Sequence, residues 1–89
     1  VSLAKNTDTF TGVATGQPVR LHGKFNVGLS GFGAGTVALE RSFDGTTWYF
    51  VDSWAADVQK SGEEPEIDVL YRLNCTAYSS GTILGRLSQ

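Results

Sequence analysis

The stretch Val19–Leu29 reads VRLHGKFNVGL. Val19, Leu21, Phe25, Val27 and Leu29 share one parity, with Gly23 among them. Arg20, His22, Lys24 and Asn26 share the other, which Ser30 continues. Successive side chains of an extended chain point to opposite faces, so this period of two predicts a half-buried strand. The β-branched and aromatic content agrees, and helical spacing fits poorly.

Working outward, the run Thr36–Phe43 predicts a second strand, with Val37, Leu39 and Phe43 on one face and Ala38, Glu40 and Ser42 on the other. Arg41 breaks the apolar parity, which places it near a strand end or edge, or beside an acidic partner. Between the runs, Gly31-Phe32-Gly33-Ala34-Gly35 has the glycines that a tight hairpin uses for positive φ. Asp44-Gly45 predicts another hairpin. The strand after it, Thr47–Ser53, is apolar on both faces, so it is either central or capped by a partner. Ala55–Lys60 fits a short strand or a helical turn. Ser61-Gly62-Glu63-Glu64-Pro65 reads as a polar turn. Ile67, Val69, Tyr71, Leu73, Cys75 and Ala77 then alternate with polar residues, Ser79-Ser80-Gly81 turns, and Thr82–Leu87 closes the series. The expected fold is all-β: a single β-sandwich or small jelly roll of six to seven antiparallel strands over residues 17–89. Turn signals at intervals of roughly 8–12 residues support it. Residues 1–16, rich in Thr, Gly and Asn, are expected to form an N-terminal arm or weak edge strand.

Composition narrows the function. The chain has 89 residues, 7 Lys+Arg against 9 Asp+Glu, one His, one Cys and a net charge of −2. This length suits one domain, whose folding buries only roughly 60–65% of the unfolded surface, so binding partners add usefully to its stability. The mild acidity disfavours nucleic acid as the main ligand, because phosphate neutralisation needs a basic stripe. A single Cys forms no intrachain disulfide, and one Cys with one His is too few for a zinc finger. No apolar run approaches the ~20 residues of a membrane-spanning helix, and the first residues lack a signal-peptide core. The expectation is synthesis in the cytoplasm with a reduced Cys75 thiol.

Catalytic signals are weak. His22 and Cys75 fall on opposite parities, which argues against a dyad on a shared sheet. Asp57, Glu63, Glu64, Glu66 and Asp68 lack EF-hand spacing and read as a solvated acidic turn. The GFGAG segment lacks the Lys-Ser/Thr of a phosphate loop. Ser42–Trp48 looks like a sialidase-type Asp-box hairpin, one residue short and present once, which marks a turn rather than an activity. Trp48, Tyr49, Phe50 and Trp54 form the densest aromatic group. Core packing, a protein interface and a sugar-stacking platform all use such residues.

Three segments together resemble a known group: GKFNVGLSG (23–31), GTVALERSFDGTTW (35–48) and EPEIDVLYRLNCTAYSSGTILGRLSQ (64–89). They are similar to small β-structured virion proteins of tailed bacteriophages, nearest to capsid decoration, or cement, proteins. This chain has DGTTW where the resembled sequences often carry an extra Gly after Asp-Gly, and the first twenty residues carry little of the likeness. The resemblance implies a non-enzymatic structural protein without cofactor or metal, made in the host cytoplasm and located on the capsid surface. Its implied partners are the major capsid protein and further copies of itself, as dimer or trimer, and neither nucleic acid nor membrane. The interface residues expected are Phe10 and Val13 in the arm, Phe32 at the glycine-rich loop, and Trp48, Tyr49 and Trp54 as anchors. Arg20, Arg41 and Arg72 are expected in cross-subunit ion pairs. The other functions the sequence leaves open are a tail, baseplate or head-tail joining protein and a carbohydrate-binding module.

Overall fold

A computed structural model describes residues 5–89, apart from the side chains of Ile67 and Asp68. Readings placed on those two side chains and on the first four residues lie outside the described residues. The chain is all-β, and the described residues contain no helix. Its strands are β1 (Lys5–Phe10), β2 (Ala14–Thr15), β3 (Val19–Ser42), β4 (Tyr49–Trp54) and β5 (Val58–Ser88). They form one antiparallel sheet in the order β1-β5-β3-β4, with β2 pairing a further stretch of β5.

The alternation in Val19–Leu29 is realised in space. Leu21, Phe25, Val27 and Leu29 are buried, whereas Arg20, His22, Lys24 and Asn26 are exposed. Val37 and Leu39 join them from the second half of β3, and Val69, Tyr71, Leu73 and Cys75 from β5. Ile83 and Leu87 complete the interior. Each fully buried Leu or Val contributes about 1.5–3 kcal/mol of transfer free energy, so this one continuous cluster is the main source of stability.

The elements differ from the expected series of short strands. The segment 31–35 is no hairpin: β3 runs through it, and Phe32 pairs with Gly81 and Ala34 with Ser80. Gly31 and Gly81 both have positive φ, 80° and 100°. A Cβ on Gly31 would strike the Thr82 carbonyl oxygen, and one on Gly81 would lie 2.5 Å from the Gly33 amide nitrogen. Two glycines on paired strands thus let both strands bend together, where a hairpin would have reversed one of them. Likewise β5 continues through Ser79-Ser80-Gly81 and through Ser61–Pro65. Residues 26–29 of β3 pair with β5 on both flanks, at 58–61 and at 85–88, so the sheet curls around its own centre. Ala55–Lys60 resolves into a short link and the start of β5.

Residues 5–10 form a regular edge strand rather than a free arm, with Phe10 opposite Ile83. Phe10 is buried in the core, because its inward parity carries it over the β5 apolar face, so it is unavailable to a partner. The Asp-Gly hairpin does form between β3 and β4, with a longer loop than a two-residue turn. Ser42 Oγ accepts from the Gly45 amide at 2.8 Å, and Asp44 Oδ1 accepts from the amides of Thr46 and Thr47 at 2.8 and 2.9 Å. These donors hold the Asp44 carboxyl below its ordinary value.

Candidate functional site

Among the described residues, β4 is the last strand of the sheet, paired only with β3. Tyr49 lies opposite Arg41, Phe50 opposite Glu40, and Asp52 opposite Leu39, so a bulge falls at Val51. The bulge lets apolar side chains reach both sides of the edge. Phe50 stands on the side of Glu40, whereas Val51 lines a groove with core residues Phe25, Val27 and Leu39. Just past the end of β3, Phe43 packs against Tyr49 with ring centroids 6.0 Å apart. Phe43 was expected beside Val37 and Leu39. It falls one step beyond the strand, where no second layer covers it, and is 50% exposed. Tyr49 is 52%, Phe50 67% and Val51 42% exposed. The groove beneath them, about 140 Å³, runs between β4 and the start of β5, with Trp54, Lys60 and Tyr71 on its walls.

Two buried or partly buried ionic groups brace this edge. On the inner side, the fully buried Glu64 accepts from the Tyr71 hydroxyl at 2.7 Å and from the Glu66 amide at 3.1 Å. It meets Arg41 at 3.3 Å. Burial, and then the hydrogen bond and charge of Glu64, push the Tyr71 hydroxyl well above the ordinary tyrosine range. The guanidinium of Arg41 lies 4.9 Å from the Phe43 ring centroid. On the outer side, Arg72 binds Glu40 at 2.8 Å and covers Trp48 at 4.2 Å, and the Asn74 amide donates to Glu40 at 3.3 Å. Cation–ring contacts of this kind contribute about 0.5–2 kcal/mol each and hold aromatic rings in place.

These contacts correct three readings. Arg41 and Arg72 make their ion pairs within the chain, because register places Glu64 and Glu40 in reach. Glu64 belongs to the interior and not to a solvated turn, since Arg41, Tyr71 and a backbone amide satisfy its carboxylate. The parity break at Arg41 was the sequence signal for an acidic partner, and that partner is Glu64.

Of the expected interface residues, Tyr49, Trp48, Arg41 and Arg72 gather at one end of the β3–β4 hairpin. Trp54 packs half-buried against the core at the other end of β4. Phe32 is half-buried against the core, its amide donating to Asp57 at 3.1 Å. Val13 is 67% exposed between β1 and β2, away from this group, and Arg20 is exposed on β3. Phe43, Phe50 and Val51 complete the exposed cluster. The signal for the last two was a strand apolar on both faces, and the structure makes that strand an edge. His22 is exposed on β3, while Cys75 is buried on β5, where burial pushes its thiol up.

An all-β chain with one curled antiparallel sheet and an uncovered aromatic edge is the class that these observations define. No protein-family model, curated protein or solved structure matches the chain.

Proposed function

We propose that the chain is a non-enzymatic structural subunit of a tailed-phage virion, a decoration protein that binds the outer face of the major capsid protein shell and stabilises it. The observation that carries this reading is the β4 edge. Three large apolar side chains stand exposed on β4, with Phe43 beside them past the end of β3, and among the described residues the second edge of β4 is unpaired; such edges are ordinarily blunted with charge or covered. Of the three segments of the resemblance, residues 35–48 cover the second half of β3 and the loop that leads into β4, and residues 64–89 supply Glu64 and Arg72, which brace the edge.

In the same reading the curled sheet is a small sandwich of the jelly-roll kind. The pairing of residues 26–29 with β5 on both flanks supports it. A small domain gains stability from any surface that binds only its folded state, and the shell gains a clamp. Copies meet as a dimer or trimer on the capsid, and the work is mechanical, with no cofactor. Purified particles test the proposal. The protein is expected in virions at hundreds of copies, and particles lacking it are expected to lose their DNA at lower temperature. A count of about 3–12 copies would move the protein to a tail or head-tail ring, given ring symmetries. Absence from virions, or unchanged heat stability without the protein, would refute the decoration role.

A further inference from the structure

The exposed apolar groups of β4 lie on both sides of one strand: Phe50 on the side of Glu40, Val51 on the side of the groove. A flat partner lying against either face would cover only one set. A partner that continues the sheet past its edge covers both. We infer that this partner is a second copy of the chain, the two β4 strands meeting antiparallel about a two-fold axis.

Area, charge and symmetry each support that occupant. With about 200 Å² for an aromatic side chain and somewhat less for Val, the exposures of Phe43, Tyr49, Phe50 and Val51 leave about 400 Å² of apolar surface on each copy. A standard interface covers about 800 Å² per partner and is a little over half apolar, so the edge carries about the apolar share that a dimer of ordinary size requires. Within Tyr49–Trp54 the only charge is Asp52. A strand with one carboxylate and no other charge presents its own copy with little like-charge repulsion.

The opposite edge excludes head-to-tail growth. β1 exposes Lys5, Thr7 and Thr9, which match neither Phe50 nor Val51, so β4 meeting β1 of a next copy leaves the aromatics poorly covered. The bulge at Val51 interrupts the regular edge and keeps any intermolecular ladder short. An isologous contact therefore closes at two copies and does not propagate.

The inference rests on the reading of β4 as a covered edge and not on which particle the chain joins. Sedimentation equilibrium of the full chain from roughly 2 to 200 µM tests it, alongside Phe50→Asp, Val51→Lys and, on the other edge, Thr7→Asp. The expected result is a reversible dimer that each β4 variant weakens at least tenfold and that Thr7→Asp leaves intact. Circular dichroism melts at low concentration confirm that each variant is folded. A monomer at every concentration, or a dimer indifferent to both β4 variants, overturns the inference. A monomer that is nonetheless abundant in virions overturns the second copy while upholding the structural role. A β4 dimer in a protein absent from virions supports the dimer and refutes the decoration role.

Discussion

β1 and β4 are both six residues long and lie at opposite ends of the same sheet, yet they are finished in opposite ways. KNTDTF turns Lys and Thr outward and sends Phe10 into the core. YFVDSW turns Tyr49, Phe50 and Val51 outward and keeps only Trp54 partly inside. A lysine and short hydroxyls protect a strand edge by making a second strand unwelcome, while exposed aromatic rings invite one. One edge of this sheet closes the fold, and the other leaves its apolar side chains exposed.

The largest test of that contrast is truncation of one ring on each edge. Phe10→Ala should cost about 3–5 kcal/mol in urea unfolding, as for other buried Phe side chains. Phe50→Ala should change monomer stability by less than about 0.5 kcal/mol, as for exposed positions. Equal costs would break the comparison. Next in size is the brace beneath β4. Arg41→Met leaves the buried Glu64 carboxylate without its cation and should cost about 1–3 kcal/mol, less than a fully enclosed pair because Arg41 is 30% exposed. The same variant should raise Tyr49 mobility in fluorescence anisotropy or NMR relaxation, since Arg41 also supports the Phe43 ring. A change in unfolding midpoint with no change at Tyr49 would separate the brace from the surface.

A gain of association sharpens the contrast further. Thr7→Ile with Thr9→Ile removes the protection of β1 and should produce concentration-dependent species beyond the dimer, visible by light scattering. The smallest effect is expected at the hairpin loop. Asp44 has a native-state value below the ordinary 3.8, so its contribution is present above that value and fades as pH falls through the lower native one. Asp44→Asn should therefore lower the melting temperature slightly at pH 7, and the difference from the parent should shrink toward pH 3. A difference that grows on acidification would contradict the loop hydrogen bonds.

Much of the fold was legible because parity is local. Leu21, Phe25, Val27, Val69, Tyr71, Leu73 and Cys75 needed only their neighbours in sequence to reveal an inward face. Gly31 and Gly81 misled because positive φ serves a reversal and a bend equally well, and the distinction lies in a strand fifty residues away. Phe10 looked isolated in a polar segment because its apolar neighbours, on β5, are remote in sequence. The aromatic cluster was visible in outline, and the double-sided apolar pattern of residues 48–51 already called for a cover. That β4 is an edge, and that Glu64 is interior, depended on strand order and register. Periodicity carries neither.

The twinned bend at Gly31 and Gly81 has a kinetic meaning. Because β3 runs unbroken through it, its first half pairs with residues 58–64, 69–71 and 84–88 of β5, while its second half pairs with residues 70–81. No part of the core closes on short-range contacts alone, a topology associated with slow folding in the millisecond-to-second range. During synthesis, residues 26–30 gain their second flank only when residues 84–88 leave the ribosome. Until then one flank of residues 26–30 stays open, and the polar outer parity, Arg20, His22 and Lys24, faces water beside it.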